Sequence, residues 1–386
     1  MNFALTDEQE AIRDAVHELA QAEFKPHAAE HDRDGTFPME NVKTLAQQGF
    51  LGMQLPAEYG GAGADYLSYA IVLEELARAD ATTSVIVDVQ NSLHADCIYH
   101  AGSEEQRREL LPPLCRGEVI GAYCLTESQA GSDAANLRTT AKRVPGGYEL
   151  TGRKVFVTNG SVADRYVVYA VTDREKGKRG ISAFVVDKGT EGVSFGPLLE
   201  KLGIRASATC DVVLDSAFVP EARRLGAEGD GYKIALVTLQ GGRVGIAAQA
   251  LGILEASIDT ATTYALSRES FGVPIAEHQA IQWMIADMAT DAEAARLLVY
   301  RAAWLHGNGT RAPEEISMAK LFASEAAMRG TVKGVQILGG YGFTAEYPAE
   351  RYMRDAKITE IYEGTSEVQR MLIARSVLDR YAAMTP

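Results

Sequence analysis

The chain has 386 residues, 46% of them hydrophobic, so it can bury a large core and is long enough for two or three domains. Its 38 Lys and Arg residues against 52 Asp and Glu residues leave a formal net charge of −14. That acidity argues against a nucleic-acid partner or an anionic membrane surface.

No targeting signal or membrane segment is evident in the sequence. The start, MNFALTDEQEAI, lacks the basic and apolar regions of a signal peptide. No uncharged apolar stretch reaches the length of about 18 residues that a membrane span needs. The 4 cysteines contain no CxxC pair, which favours a reducing compartment. We expect a cytoplasmic protein without membrane insertion.

The predicted elements fall into three blocks. Helical spacing of apolar residues dominates as far as residue 117, beginning after a predicted N-cap at Thr6 and continuing at 65–79, 82–101 and 104–115. Short β-branched and aromatic runs separated by turn clusters follow at 121–225, and predict an antiparallel barrel or sandwich. Helical patterns then return at 232–267, 276–306, 313–338 and 366–381.

This order of elements predicts an α+β fold with three domains. Helices do not alternate with the strands, which argues against a doubly wound parallel sheet. The boundaries we predict are an N-terminal helical domain at 1–120, a middle β domain at 121–231 and a C-terminal helical domain at 232–386.

Several common catalytic motifs are missing. There is no GxGxxG after a strand, no phosphate-binding P-loop, no HExxH and no GxSxG. His27 and His31 are four residues apart and could share a helix face, but no third ligand accompanies them. No metal site is expected.

Two segments of the β block could carry chemistry. In GAYCLTESQAGSDAANLRTTA a strand runs into a loop of small residues, whose backbone N–H groups suit a ring carbonyl or a phosphate, although a plain β-turn is the alternative. In RKVFVTNGS, alternation with period two places Phe156 and Thr158 on one side of a strand. Here the alternative is a half-buried strand end.

Two further segments interrupt the C-terminal helices. QILGGYGF breaks a helix with two glycines, which could be a bare helix C-cap or an opening for a cofactor's phosphates. YEGTSE places Glu363 before a helix start, where Ser366 and Gln369 have capping-box spacing.

Taken together and in order, these segments resemble the acyl-CoA dehydrogenases, which are FAD enzymes. The resemblance runs over essentially the whole chain and rests on AYCLTESQAGSD, FVTNG, YALSRESFG, QILGGYGF and EIYEGTSEVQR. It implies a middle antiparallel β-barrel-like domain between an N-terminal helical domain and a C-terminal four-helix bundle. It also implies FAD shared between the subunits of a homotetramer.

The resemblance assigns two sets of FAD contacts. The flavin ring and its surroundings would be contacted by Tyr123, Leu125, Thr126, Ser132, Phe156, Thr158, Thr365 and Glu367. The diphosphate, ribose and adenosine would be contacted by Arg268, Ser270, Phe271, His278, Gln279, Gln336, Gly339 and Gly340. Many members have Trp where this chain has Phe156, a change that keeps an aromatic face but loses an indole N–H.

Glu363 matches the family's base, which removes the proton α to the thioester. Its backbone N–H, with a ribityl hydroxyl of the flavin, would bind the thioester carbonyl, and Gly364 would let the backbone approach. Some relatives carry the base at the position of Gly242, which cannot act as one. Substrate contacts are expected from Ser132, Gln240, Arg243, Gly364 and Arg375, with Gln240 replacing an aspartate that is common in relatives.

The expected partners are an acyl-CoA substrate and an electron-transfer flavoprotein. Relatives that act on dicarboxylyl-CoA place an arginine where this chain has Ser84, so we expect an uncharged acyl chain of about four to eight carbons. Asp88 has no assigned role and is expected to face solvent, outside the acyl pocket. The alternatives are an oxidase or monooxygenase using O2, whose monooxygenase members usually lack the glutamate, and a non-catalytic DNA-associated flavoprotein, which would need a basic surface.

Overall fold

The computed structural model describes residues 4–384, so the ends of the predicted terminal domains, residues 1–3 and 385–386, lie outside the described residues. The N-terminal part is helical. Its α-helices are α1 Asp7–Leu19, α2 Lys25–Asp34, α3 Met39–Gln47, α4 Tyr66–Ala79, α5 Ala81–Asp88, α6 Asp96–Ala101 and α7 Glu104–Cys115. Two π-helical turns, Ala20–Phe24 and Val89–Ala95, connect neighbouring helices. The predicted cap at Thr6 is confirmed, because its side chain accepts from Gln9 in a capping box.

The middle part is one eight-stranded sheet. Its strands are β1 Gly121–Cys124, β2 Thr140–Val144, β3 Gly147–Val157, β4 Arg165–Val171, β5 Ile181–Asp187, β6 Val193–Phe195, β7 Cys210–Pro220 and β8 Arg224–Leu225. They are ordered β6-β7-β3-β2-β4-β5-β8, with β1 beside β4. The predicted antiparallel pairing holds for most neighbours, but β1 and β2 both pair with β4 in parallel. The chain therefore enters the sheet at β1 directly from the helical part.

The C-terminal part is again helical. Its elements are α8 Gly231–Ser267, β9 Glu269–Ser270, β10 Val273–Pro274, α9 Gln279–Gly307, α10 Pro313–Leu338, α11 Ala349–Thr359 and α12 Ser366–Ala382. Helix α10 packs on α8, α9 and α12, which gives the predicted bundle of four long helices. Short 3₁₀ segments lie at Ala57–Tyr59, Arg174–Gly180, Glu221–Arg223, Ile275–Glu277 and Gly339–Phe343.

Helix α8 is the element that joins the helical layers. It packs on α4, α5 and the π-helical turn Val89–Ala95 as well as on α9, α10 and α11. By length and composition it could cross a membrane, but 72% of its most apolar window is buried inside the protein, as expected of a core helix. Glycines allow the close approach, since a methyl on Gly252 would lie 2.1 Å from the carbonyl oxygen of Glu74.

Candidate active site

Glu363 lies in the short connection between α11 and α12. Its backbone is left-handed, with φ +54°, and the next residue, Gly364, has φ +93°. Side chains hold the two carbonyl oxygens of this turn. Arg243 Nε donates to Glu363 O at 3.2 Å, while Lys320 Nζ and Gln369 Nε2 donate to Gly364 O at 2.8 and 2.9 Å. Three helices, α8, α10 and α12, therefore fix the position of Glu363.

One oxygen of the Glu363 carboxyl group is buried without a partner within residues 4–384, although the residue as a whole is partly exposed. Its Oε2 atom is buried and accepts no hydrogen bond from any described residue. A methyl group on Gly242 would lie 2.8 Å from Oε2 and 2.8 Å from Leu93 Cδ2. Burial raises the pKa of Glu363 to about 7, although the positive charges of Arg243 and Lys320 act in the opposite direction. The group can thus exchange a proton near neutral pH.

Two buried cations stand beside this carboxyl group. Arg243 is 6% exposed and Lys320 is fully buried. Burial lowers the pKa of Lys320 to about 7, while the charge of Glu363 opposes the decrease. Asp88 on α5 and Tyr123 on β1 also interact electrostatically with Glu363. The site therefore combines carboxyl and cationic groups in a desolvated environment.

The start of α12 differs from the prediction. The predicted capping box of Ser366 with Gln369 is wrong, because the N-cap is Thr365, whose side chain accepts from Val368 N at 3.3 Å. Since the left-handed turn ends at Gly364, the chain becomes extended one residue earlier than the spacing suggested. Gln369 is then free to donate to the carbonyls of the turn.

A buried ion pair shapes the loop after β1. Lys154 Nζ lies 2.8 Å from Glu127 Oε1 and donates to Leu125 O at 3.1 Å. Glu127 also accepts from the backbone N–H groups of Arg138 and Thr139. These bonds hold Leu125 and its neighbour Thr126 in place directly after β1.

The second strand segment predicted to contact flavin adjoins this loop. Val155 N donates to Thr126 O at 2.9 Å. The prediction that Phe156 and Thr158 share a strand face is wrong, because the register shifts between Lys154 and Val157 and Phe156 has φ +56°. Thr158 lies beyond the strand end. The bulge leaves Phe156 67% exposed.

The residues predicted to hold the diphosphate gather at the other end of α8. The hairpin of β9 and β10 follows Arg268 and carries Ser270, and its tip, Phe271, is 96% exposed. The ring of Phe271 lies 6.0 Å from that of His278, and Gln279 begins α9. An apolar cluster that includes Tyr264, Ile275, Ile337 and Leu338 brings the end of α10 to the same place.

The two glycines of QILGG have different surroundings. Gly339 ends α10 with φ +60°, so the C-cap interpretation is confirmed for it. A methyl placed on Gly339 or Gly340 would meet no atom within 4 Å, so the backbone is also open. Gln336, one turn earlier, is exposed.

The predicted contacts thus form two separate groups within one protomer. Arg243 marks the first group on α8 and Arg268 follows the last residue of that helix, 25 positions later. At 1.5 Å per residue they are about 37 Å apart along the helix. Arg243, which holds the turn at Glu363, and the residues that follow α8 are therefore well separated within one protomer.

Four predicted contacts lie outside these groups. Arg375 projects from α12 with its side chain 81% exposed and lies 3.9 Å from Asp379. Glu367 and Ser132 are exposed, and Ser132 adjoins the open backbone of Gly131. Gln240 lies three residues before Arg243 on α8, and its Oε1 atom is buried without a partner among the described residues. The roles of these residues stay predictions.

The two groups fit the parts of FAD. A flat ring needs an open aromatic or backbone surface, and a diphosphate needs an arginine and accessible backbone N–H groups. Phe156, Arg268 and the open glycines supply these features. Of the 6 non-glycine residues described with positive φ, the 3 at Phe156, Phe271 and Glu363 are predicted site residues. Strained backbone of this kind concentrates at functional sites.

Sequence reasoning missed Lys320 and misplaced Asp88. Lys320 is the single charge in the apolar stretch ISMAKLFAS, a signal that could have indicated a buried cation. The expectation that Asp88 faces solvent is wrong, because the residue is 1% exposed and accepts from Tyr69 Oη at 2.9 Å. Its isolated position between valines could have indicated burial.

Within residues 4–384, a cluster of three carboxylates that could hold a metal ion lies outside the site. Carboxylate oxygens of Glu74, Glu75 and Glu255 lie within 4.8 Å of one another. Arg78 lies 3.8 Å from Glu75 and Arg296 lies 3.5 Å from Glu74. The protein's own cations therefore already neutralise part of this charge.

The chain matches three domains of one family in order. Residues 6–118 match the acyl-CoA dehydrogenase N-terminal domain, 122–217 the middle domain and 229–378 the C-terminal domain. A short-chain specific acyl-CoA dehydrogenase of Clostridium acetobutylicum is 50% identical over 377 residues, which cover 98% of this chain and 100% of the relative.

Two solved structures are similar over nearly the whole chain. Butyryl-CoA dehydrogenase from Megasphaera elsdenii has a TM-score of 0.96 and 43% identity, covering 98% of this chain and 100% of the other. A chain from a structure described as the electron transferring flavoprotein of Acidaminococcus fermentans has a TM-score of 0.97 and 46% identity, with the same two coverages.

Proposed function

The chain belongs to the acyl-CoA dehydrogenase family, whose members are FAD-dependent oxidoreductases, and on this premise we propose that it converts a short- to medium-chain acyl-CoA to the trans-2-enoyl-CoA. The reaction removes a proton from the α carbon and a hydride from the β carbon. Bound FAD supplies the hydride acceptor. We assign the removal of the proton to Glu363.

The observation that carries this assignment is the state of the Glu363 carboxyl group. Oε2 is buried and has no partner among the described residues, so it is available to a substrate proton. A pKa of about 7 makes it a stronger base than an exposed glutamate and leaves a substantial ionised fraction at neutral pH. The missing side chain at Gly242 leaves space directly beside Oε2.

The turn around Glu363 also suits the developing negative charge. Arg243, Lys320 and Gln369 hold the two carbonyls of the turn. We propose that the Glu363 N–H binds the thioester oxygen and that Gly364 allows the close approach. A fixed donor aimed at an enolate-like oxygen stabilises the transition state more than the ground state.

The proposed acyl chain is uncharged and has about four to eight carbons. Where a dicarboxylyl-CoA enzyme needs a cation, Ser84 is fully buried and donates to Leu73 O at 2.9 Å. A distal carboxylate there would be buried without a charged partner, which costs several kcal/mol. The names of the short-chain and butyryl-CoA relatives support the same range.

A homotetramer with FAD shared between subunits is the proposed assembly. Arg243, which holds the turn at Glu363, is about 37 Å along α8 from Arg268, which supports a site that a second copy of the chain completes. Exposed apolar side chains at Phe271, Phe343, Met371 and Leu378 on the C-terminal part provide surface for such contacts.

An electron-transfer flavoprotein is the proposed acceptor of the electrons, supported by the similarity to a chain of the Acidaminococcus fermentans structure. A cytoplasmic location is supported by the cysteines. Cys97, Cys115, Cys124 and Cys210 are all buried and free, as in proteins of reducing compartments.

The direct test is reduction of the bound flavin by a series of acyl-CoAs from propionyl-CoA to palmitoyl-CoA, with dye, electron-transfer flavoprotein or O2 as acceptor. We expect a maximum of kcat/KM at butyryl- to octanoyl-CoA and transfer to the flavoprotein. A maximum at palmitoyl-CoA, or a preference for glutaryl-CoA over butyryl-CoA, would contradict the proposed substrate. Turnover that depends on O2 would contradict the dehydrogenase assignment.

A further inference from the structure

Asp88 is a buried acid that the proposed reaction does not use. It is 1% exposed, at the end of α5. Tyr69 Oη donates to Oδ1 at 2.9 Å, and Ser92 Oγ lies 2.7 Å from the same atom. The second oxygen, Oδ2, is buried and has no partner among residues 4–384. A buried polar atom of this kind costs free energy unless something bonds to it.

Asp88, at the end of α5, packs against the same face of α8 as the side chain of the proposed base, Glu363. Gly242, Gly245 and Gln249 share that face at positions i, i+3 and i+7. A methyl on Gly242 would meet Glu363 Oε2, and one on Gly245 would lie within 1.9 Å of Asp88 Oδ1. Three residues of rise separate Gly242 from Gly245, and therefore their contacts with the two carboxyl groups, by about 4.5 Å along the helix.

This spacing matches the length of a short acyl chain. If the α carbon lies beside Glu363, a chain running along the face of α8 reaches Asp88 after a few methylene groups. Gln249 accepts a hydrogen bond from the Tyr362 hydroxyl one turn farther along, so polar atoms continue beyond Asp88. If the acyl chain follows this face, its far end meets a polar group rather than an apolar wall.

The hydrogen bonds of Asp88 indicate whether its unpartnered oxygen, Oδ2, acts as a hydrogen-bond donor or acceptor. Tyr69 donates to Oδ1, and the desolvated carboxyl group is stabilised in its neutral form, in which Oδ2 carries the proton. Burial and the nearby Glu363 charge raise the pKa of Asp88 well above its usual range. The free group is then a hydrogen-bond donor.

We propose that Asp88 is a specificity-determining residue, whose Oδ2 donates to an uncharged oxygen near the far end of the acyl chain. The substrate class is therefore acyl-CoA with a ketone or hydroxyl oxygen about three carbons beyond the α carbon. This inference rests on the proposed function, because it places the α carbon at Glu363. It refines the acyl specificity from an apolar chain to an oxygen-bearing one.

The test compares 5-oxohexanoyl-CoA with hexanoyl-CoA on the holoenzyme. The ketone of the first thioester is separated from the β carbon by a methylene group. The intrinsic reactivity difference between the two substrates cancels when the ratio of their kcat/KM values is compared between protein variants. We expect Asp88→Leu to lower this ratio about tenfold, as the loss of one buried hydrogen bond to substrate predicts.

Asp88→Asn is the matched control. Its amide oxygen can accept from Tyr69 while its NH₂ group donates to the ketone, so the ratio should stay within about twofold of the wild-type ratio. Asp88→Ala removes the donor without adding bulk and replaces Asp88→Leu if the leucine variant does not fold. A ratio that is unchanged in the leucine or alanine variant, or that falls equally in Asp88→Asn, would overturn the proposal.

Binding measurements distinguish a failure of this inference from a failure of the proposed function. The affinities of both thioesters for wild type and each variant are measured by isothermal titration calorimetry, which requires no turnover. If neither thioester reduces the flavin, the proposed function fails. If turnover is normal but neither the kinetic ratio nor the affinity ratio depends on residue 88, the role of Asp88 fails.

Discussion

Replacing Lys320 by methionine tests how the site sets the basicity of Glu363. The lysine is fully buried and its Nζ donates to Gly364 O at 2.8 Å. Its positive charge lowers the pKa of Glu363, which burial raises to about 7. Methionine has a similar length and no charge. Gln369 still donates to Gly364 O at 2.9 Å, so the turn keeps one of its bonds.

The expected shift follows from removing one nearby cation. Loss of such a charge raises the pKa of a carboxyl group by about one unit or more. A change in Glu363 from about 7 to about 8 lowers its ionised fraction at pH 7 from about a half to about a tenth. Since the ionised form is the base, kcat/KM should fall about fivefold at pH 7 and hardly change at pH 9.

The assay is the pH dependence of kcat/KM for butyryl-CoA between about pH 5.5 and 9.5, with an artificial electron acceptor. In the wild type the acidic limb belongs to the coupled pair of Glu363 and Lys320, because the pKa of each is close to 7. In Lys320→Met we expect the acidic limb of the profile to reflect Glu363 alone, with its midpoint at higher pH. The direction of the shift is fixed, because a carboxyl group with a raised pKa ionises at a higher pH.

Two control variants identify the cause. Lys320→Arg keeps a positive charge and should leave the limb near its wild-type position. Lys333→Met removes another lysine of α10, about 20 Å along the helix from Lys320 and paired with Asp287 at 2.7 Å, and should change nothing. An unmoved limb in Lys320→Met, or an equal loss of activity at every pH, would refute the electrostatic role.

Three further predictions concern the space, the assembly and the stability of the site. Gly242→Ala places a methyl 2.8 Å from Glu363 Oε2 and should lower kcat/KM about 10- to 100-fold. The control Gly189→Ala, at an exposed glycine, should have no effect, and equal activities of the two variants would contradict the contact. Arg268→Ala should weaken FAD binding and assembly together, as measured by flavin content and light scattering, and a monomer with full FAD occupancy would contradict the shared site. Glu127→Gln leaves Lys154 buried without its partner and should lower the free energy of unfolding by about 3–5 kcal/mol in urea denaturation, while an unchanged midpoint would contradict a stabilising pair.

Much of the helical architecture could be predicted because long periodic segments are strong signals. The predicted helix at 313–338 agrees with Pro313–Leu338, where proline marks the start and glycine follows the end. The predicted helix at 82–101 is instead interrupted by the π-helical turn Val89–Ala95. Apolar periodicity cannot distinguish this change of hydrogen-bond pattern, since the side chains stay buried throughout.

The β part was less predictable because its pairings are not local. Strand composition and turn clusters predicted short strands and mostly antiparallel neighbours. The parallel pairing of β1 with β4 joins residues more than forty positions apart, and the local sequence carries no signal for it. The bulge at Phe156 likewise depends on the register with β7, which period-two alternation assumes to be regular.

Site residues that belong to family motifs could be predicted from the sequence. Site residues whose role depends on their burial in the folded protein could not. Glu363 and Arg243 were found by resemblance, and the structure places Arg243 on the carbonyl of Glu363. Lys320 and Asp88 belong to helices far away in the chain, and their relation to Glu363 arises from how α8, α10 and α5 pack. The distance between Arg243 and Arg268 also follows only from the continuous length of α8.

The most direct measurement of the central claim is single-turnover reduction of the flavin in Glu363→Gln. Glutamine keeps the shape of the side chain but cannot accept the α proton, so the variant should bind FAD and butyryl-CoA as the wild type does. Loss of a general base predicts a reduction rate about 100- to 10,000-fold slower in stopped-flow absorbance. A variant that keeps more than about a tenth of the wild-type rate, with its flavin fully bound, would contradict Glu363 as the base.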